Sequence, residues 1–118
     1  MAMTNYKKIY LAGPMKGIVD SNRPEFRRMA RKISSRGYKV YNPSKIPLKL
    51  GYAGCMRICI LELAKCGAVA LLKGWERSKG ARLEVAIAKV LEMPILDAYS
   101  LDVCKKADNI KKRMELFL

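Results

Sequence analysis

Glu84 is the carboxylate whose place in the chain says most about chemistry. A helix starting near Gly80 carries it in or just past the first turn, with Ala81, Ile87, Ala88 and Leu91 on the same face. Arg82, Lys89 and Glu92 mark a different, solvated face, so Glu84 points toward packed structure. Two readings stay open at this stage. The carboxylate is either a first-turn acid favoured by the helix dipole, or a nucleophile or base held partly desolvated beside a ligand, where it can attack carbon.

A second group of residues could handle phosphate. Gly13, Pro14, Met15, Lys16 and Gly17 follow an apolar run directly, and the two glycines would let backbone amides approach a ligand closely. The segment matches neither the phosphate loop ending in Gly-Lys-Ser or Gly-Lys-Thr nor the Gly-x-Gly-x-x-Gly dinucleotide fingerprint. Its alternative reading is a strand-ending turn. Cys55, Cys59 and Cys66 fall four and seven residues apart on one helical stripe that also holds Glu62. With no Cys-x-x-Cys pair and no histidine in the chain, packed reduced thiols are expected there, and neither a metal site nor a cofactor is. The absence of histidine also leaves acid–base chemistry to carboxylates, Lys, Tyr or Cys.

The elements that must position these residues alternate. Residues 7–12 read as a strand ending at Gly13-Pro14. Asn22, Pro24 and Glu25 predict a capped helix from near Arg23, with Phe26, Met29, Ala30 and Ile33 inward, Arg27, Arg28, Arg31, Lys32 and Arg36 outward, and Gly37 as its stop. A strand at 38–41, a helix over 54–66 and a wholly apolar strand at 68–72 follow. A loop at 74–80, a helix over 81–92, a short strand at 94–97 and a terminal helix from about Leu101 complete the order βαβαβαβα. That order predicts a single domain over residues 1–118. The expected fold class is α/β, a Rossmann-like (flavodoxin-like) three-layer fold with a parallel sheet of four to five strands and ligands beyond the strands' carboxyl ends.

At 118 residues the chain has room for one core, and 51% apolar content is enough to fill it. Lys and Arg number 24 against 10 Asp and Glu, and the net charge of +14 implies an anionic partner without choosing among them. Besides the helix from Arg23, the pairs and triplets at Lys105-Lys106 and Lys111-Lys112-Arg113 could form a phosphate-backbone footprint, so nucleic acid is one such partner. No apolar stretch long enough for a signal peptide precedes Gly13, and none is long enough to span a membrane. A cytoplasmic protein with no membrane partner is expected.

Three segments together resemble the nucleoside 2-deoxyribosyltransferase-like superfamily, in particular its small phage and bacterial members. They are Lys8-Ile9-Tyr10-Leu11-Ala12-Gly13-Pro14-Met15-Lys16-Gly17, Gly37-Tyr38-Lys39-Val40-Tyr41-Asn42-Pro43, and the run from Gly74 to Glu84. The resemblance implies a Rossmann-like domain, usually a homodimer or larger, that binds a nucleoside or nucleotide and cleaves or transfers the base at the N-glycosidic bond. In the branch similar to deoxynucleoside 5'-monophosphate N-glycosidases, a Ser-x-Gly-x-x-x-Glu segment supplies a phosphate-binding Ser and a catalytic Glu. Ser78, Gly80 and Glu84 match it position for position. By the same resemblance the loop from Gly13 to Gly17 lines the sugar and phosphate pocket, with Met15 and Lys16 nearest the ligand. Relatives usually carry an Asp that assists departure of the base; here that position falls on Cys59, with Glu62 one helical turn on as a substitute, and a second familiar Asp is replaced at Gly67. The function expected is therefore a Glu-dependent N-glycosidic bond hydrolase or deoxyribosyltransferase. Its alternative is a nucleotide-binding or basic nucleic-acid-binding protein that kept the fold and lost the assisting Asp.

Overall fold

The computed structural model describes residues 6–107. Its first strand, β1 (Ile9–Ala12), has all four side chains buried, as a strand covered on both faces requires. β2 (Val40–Tyr41), β3 (Ala68–Leu71) and β4 (Ile95–Asp97) join it in one parallel sheet of order β2-β1-β3-β4. Ile9 pairs with both Val40 and Ala68, and Val69 pairs with Ile95. The sequence direction reverses between β1 and β3, so the loops leaving these two strands diverge and open a crevice at their carboxyl ends.

Among the described residues three helices cover this sheet: α1 (Arg23–Ser35), α2 (Gly51–Ala64) and α3 (Lys79–Val90). Side chains alternate across the strands, and the two faces bury different partners. Ile9, Leu11, Ala68, Ala70 and Leu72 pack with Phe26, Met29 and Ile33 of α1. Burying those three α1 side chains stabilises the layer by about 1.5–3 kcal/mol each. Tyr10, Ala12, Val69 and Leu71 face α2 and α3, meeting Cys59 and Leu63 from one and Ala81, Val85 and Ala88 from the other. The result is a three-layer, Rossmann-like α/β fold, with four strands in the sheet among the described residues. No helix among the described residues is long and apolar enough to cross a membrane.

Several local expectations are corrected. Asn22 does not cap α1 with its side chain, because at φ 62° it is left-handed rather than extended. Asp20, Ser21 and Asn22 form a run of three left-handed residues, and the Asn22 side-chain amide instead donates to the Pro14 carbonyl at 2.8 Å. Glu25 turns to Arg28 and Tyr99 rather than back to the cap. In α3 the face of Glu84 holds Ala81, Val85 and Ala88, while Leu91 lies beyond the helix end and is 51% exposed. There Glu92, at φ 58°, turns the chain back toward β4. No helix begins at Leu101. Residues 101–104 run back along β4, with Val103 bridged antiparallel to Leu96 and the Cys104 amide donating to the Ile95 carbonyl at 2.8 Å. A short 3-10 turn at Lys105–Ala107 follows. The rest of the expected terminal helix, with Lys111, Lys112 and Arg113, lies outside the described residues.

Candidate functional site

The crevice at the carboxyl ends of β1 and β3 deepens into a cavity of about 1420 Å³. Cys59 of α2 and Glu84 of α3 line it, and Tyr10 of β1 lies in the core behind them, the sheet and two helices bringing the three together from distant parts of the chain. Glu84 is 5% exposed. The Tyr10 hydroxyl, completely buried, donates a hydrogen bond to Glu84 Oε2. The Cys59 thiol sits against both groups, and its interaction with Glu84 favours the carboxylate.

Electrostatics follow from that burial. Desolvation pushes the Glu84 carboxyl from its ordinary 4.5 up to about 7, against the opposing pull of the hydrogen bonds from Tyr10 and Cys59. Tyr10 is pushed far above the ordinary phenol value, first by burial and then by the charge of Glu84, so it stays a hydrogen-bond donor throughout the physiological range. Burial raises the Cys59 thiol to about 11, leaving it protonated at neutral pH. The arrangement holds an acceptor carboxylate between two groups that keep their protons. Close to neutrality Glu84 itself can be charged or neutral.

The walls carry the remaining residues singled out from the sequence. Gly13, Pro14, Met15, Lys16 and Gly17 line one side. Gly13 has a packing reason to be glycine, since a Cβ there would lie 2.7 Å from Leu72 Cβ. Gly17, at φ 81°, needs the left-handed region that glycine enters freely. Ser78, Lys79 and Gly80, which open α3, also line the cavity, so the positive end of the helix faces into it. Ser78 caps α3, its Oγ accepting from the Ala81 amide at 3.1 Å. A Cβ on Gly80 would meet Met56 Sδ at 3.3 Å and narrow the wall. Lys16, Lys73, Arg77 and Lys79 give the rim a positive charge suited to a phosphate.

Glu62 is the one expected helper that the fold places elsewhere. It lies off the cavity lining and pairs with Lys65 at 3.2 Å. Among the residues that sequence reading did not place at the site are Glu25, Lys73 and Tyr99, which line the cavity, and Tyr10, which bonds Glu84 from the sheet. Tyr99 accepts from the Lys73 amide at 3.1 Å and donates to Glu25 Oε2 at 2.9 Å. Glu25 also takes a two-pronged contact from Arg28 at 2.8 and 3.0 Å, which holds its carboxyl below the ordinary value. Tyr10 did leave a signal, as the one polar side chain inside an otherwise apolar strand, which must find a partner once buried. Tyr99 and Lys73 left none, being joined only by the approach of the β3 and β4 loops.

Residues 7–97 match a family described as a domain of unknown function, DUF4406. No curated protein matches the chain.

Proposed function

The chain belongs to the DUF4406 family, and from its buried, tyrosine-bound glutamate beside a cationic cavity we propose that it cleaves the N-glycosidic bond of a nucleotide or nucleoside, as a hydrolase or deoxyribosyltransferase. The observation that carries this reading is the Tyr10–Glu84 pair at the carboxyl end of the sheet. The likeness of the Ser78, Gly80 and Glu84 segment to the nucleoside 2-deoxyribosyltransferase-like superfamily gives the pair its reaction class. In this reading Glu84, ionised, attacks the anomeric carbon or stabilises an oxocarbenium-like transition state there. Tyr10, bound to Oε2, and Cys59 hold the carboxylate in place for that step. Lys16, Ser78 and the first turn of α3 hold the phosphate.

The leaving base must gain a proton or depart as an anion. Cys59 occupies the position from which relatives assist with an Asp, and a thiol raised to about 11 is a poor acid. That observation favours a second reading, a nucleotide-binding protein with little or no turnover. Incubation with ribo- and deoxyribonucleoside monophosphates, followed by chromatography for free base, separates the two. Release that disappears in Glu84→Gln supports the enzyme. Saturable binding with no release from any substrate supports the binder and sinks the enzymatic proposal.

A further inference from the structure

We propose that the groove between α1 and β2, which adjoins the Glu84 cavity at Ile46, binds single-stranded nucleic acid through its phosphate backbone. The groove encloses about 1030 Å³, with Arg27 and Arg31 of α1 on one wall and Lys45 on the other. Val40, Ile46 and Ile58 contribute apolar surface to it. The proposal stands apart from the N-glycosidase reading.

The distribution of charge carries the argument. Ion pairs neutralise Arg23 through Asp20 and Arg28 through Glu25. Arg27, Arg31 and Lys45 are exposed and have no carboxylate partner among the described residues. Unmatched cations converging on a concave surface concentrate the field and attract a polyanion. Arg27 and Arg31 are one helical turn apart, a rise of about 6 Å along the axis, so they present charge along a line as a chain of phosphates does. The apolar floor gives bases or sugars a surface to cover, which a single strand can use and a closed duplex cannot. A lipid surface fits less well. The outward face of α1 has none of the exposed large apolar side chains found among the described residues, which membrane-lying helices insert.

The test is fluorescence anisotropy with a labelled single-stranded oligothymidylate across a salt series. Three phosphate contacts predict that log K falls with log salt at a slope of about −2. Arg27→Glu with Arg31→Glu is compared with Lys105→Glu with Lys106→Glu, which changes the net charge equally at the opposite edge of the sheet. All four side chains are exposed, and circular dichroism checks that both variants fold. The expected result is a loss of affinity of at least about tenfold, with a shallower salt slope, in the groove variant only. Equal losses in both variants would show attraction by net charge and overturn the groove. So would displacement of the strand by a free mononucleotide, which would put it in the Glu84 cavity, or tighter binding to duplex DNA or to anionic lipid vesicles than to the single strand.

Discussion

Replacing Glu84 by Gln should stabilise the folded protein at neutral and alkaline pH. Folding raises the Glu84 pKa from 4.5 to about 7, so the native state holds this proton more tightly than the unfolded chain does. The group's contribution to stability is therefore fully present below its unfolded pKa and is lost as pH rises through the folded one. Between pH 4.5 and about pH 8 the native state loses about 3 kcal/mol through this one group. With no histidine in the chain, that window contains no imidazole titration to obscure the effect. Glutamine keeps a carbonyl oxygen to accept from Tyr10 and carries no charge, so the variant should escape the loss. Urea denaturation of both proteins across this range reads the difference directly. The stability of Glu84→Gln relative to the parent should rise with pH, and at about pH 8 the midpoint of thermal unfolding should stand on the order of 10 °C above it. A pH-independent difference between the two proteins would refute the burial argument. A stability gain with loss of activity would mark Glu84 as a residue kept for function at the expense of the fold.

Three further outcomes follow from the same geometry. Tyr10→Phe removes a donor that favours the ionised carboxylate, so the acid limb of the pH–rate profile for base release should move upward from about 7; an unmoved limb would mean that the pair does not set the ionisation. Gly13→Ala forces a Cβ to within 2.7 Å of Leu72 Cβ and should destabilise the protein by about 1–3 kcal/mol in chemical denaturation, whereas an unchanged midpoint would show that the crossing of β1 and β3 relaxes freely. Asn22→Ala should lose about 1 kcal/mol or more, because it removes the bond to the Pro14 carbonyl and strains φ 62°, and Asn22→Gly, which relieves the strain alone, should lose less; equal losses would assign the whole effect to the hydrogen bond.

Much of this architecture was legible in local patterns. The apolar run at 68–72 pointed to a strand covered on both sides, the run at 7–12 to a strand ending at Gly13, and the spacing of Phe26, Met29 and Ile33 to the buried face of α1. Helix α3 starts at Lys79, two residues before the expected Ala81, because Ser78 already caps it through Oγ. Capping chemistry misleads at Asn22. Its side chain was drawn to a carbonyl eight residues back, a contact that exists only after the loop has folded. Helix propensity misleads at Leu101, where pairing beside β4 outweighs it.

The sequence alone determined the alternation of strands and helices as far as β4, the buried face of α1, and the presence of a carboxylate on an apolar helix face. Those follow from periodicity and side-chain chemistry, which act over a few residues. Only the tertiary structure decided what that carboxylate meets. Tyr10 and Glu84 are 74 positions apart, and only the packing of α3 over β1 puts a phenol against the acid, shuts water out and lifts its pKa to about 7. Desolvation depends on everything packed around a group, so no local pattern could have set it.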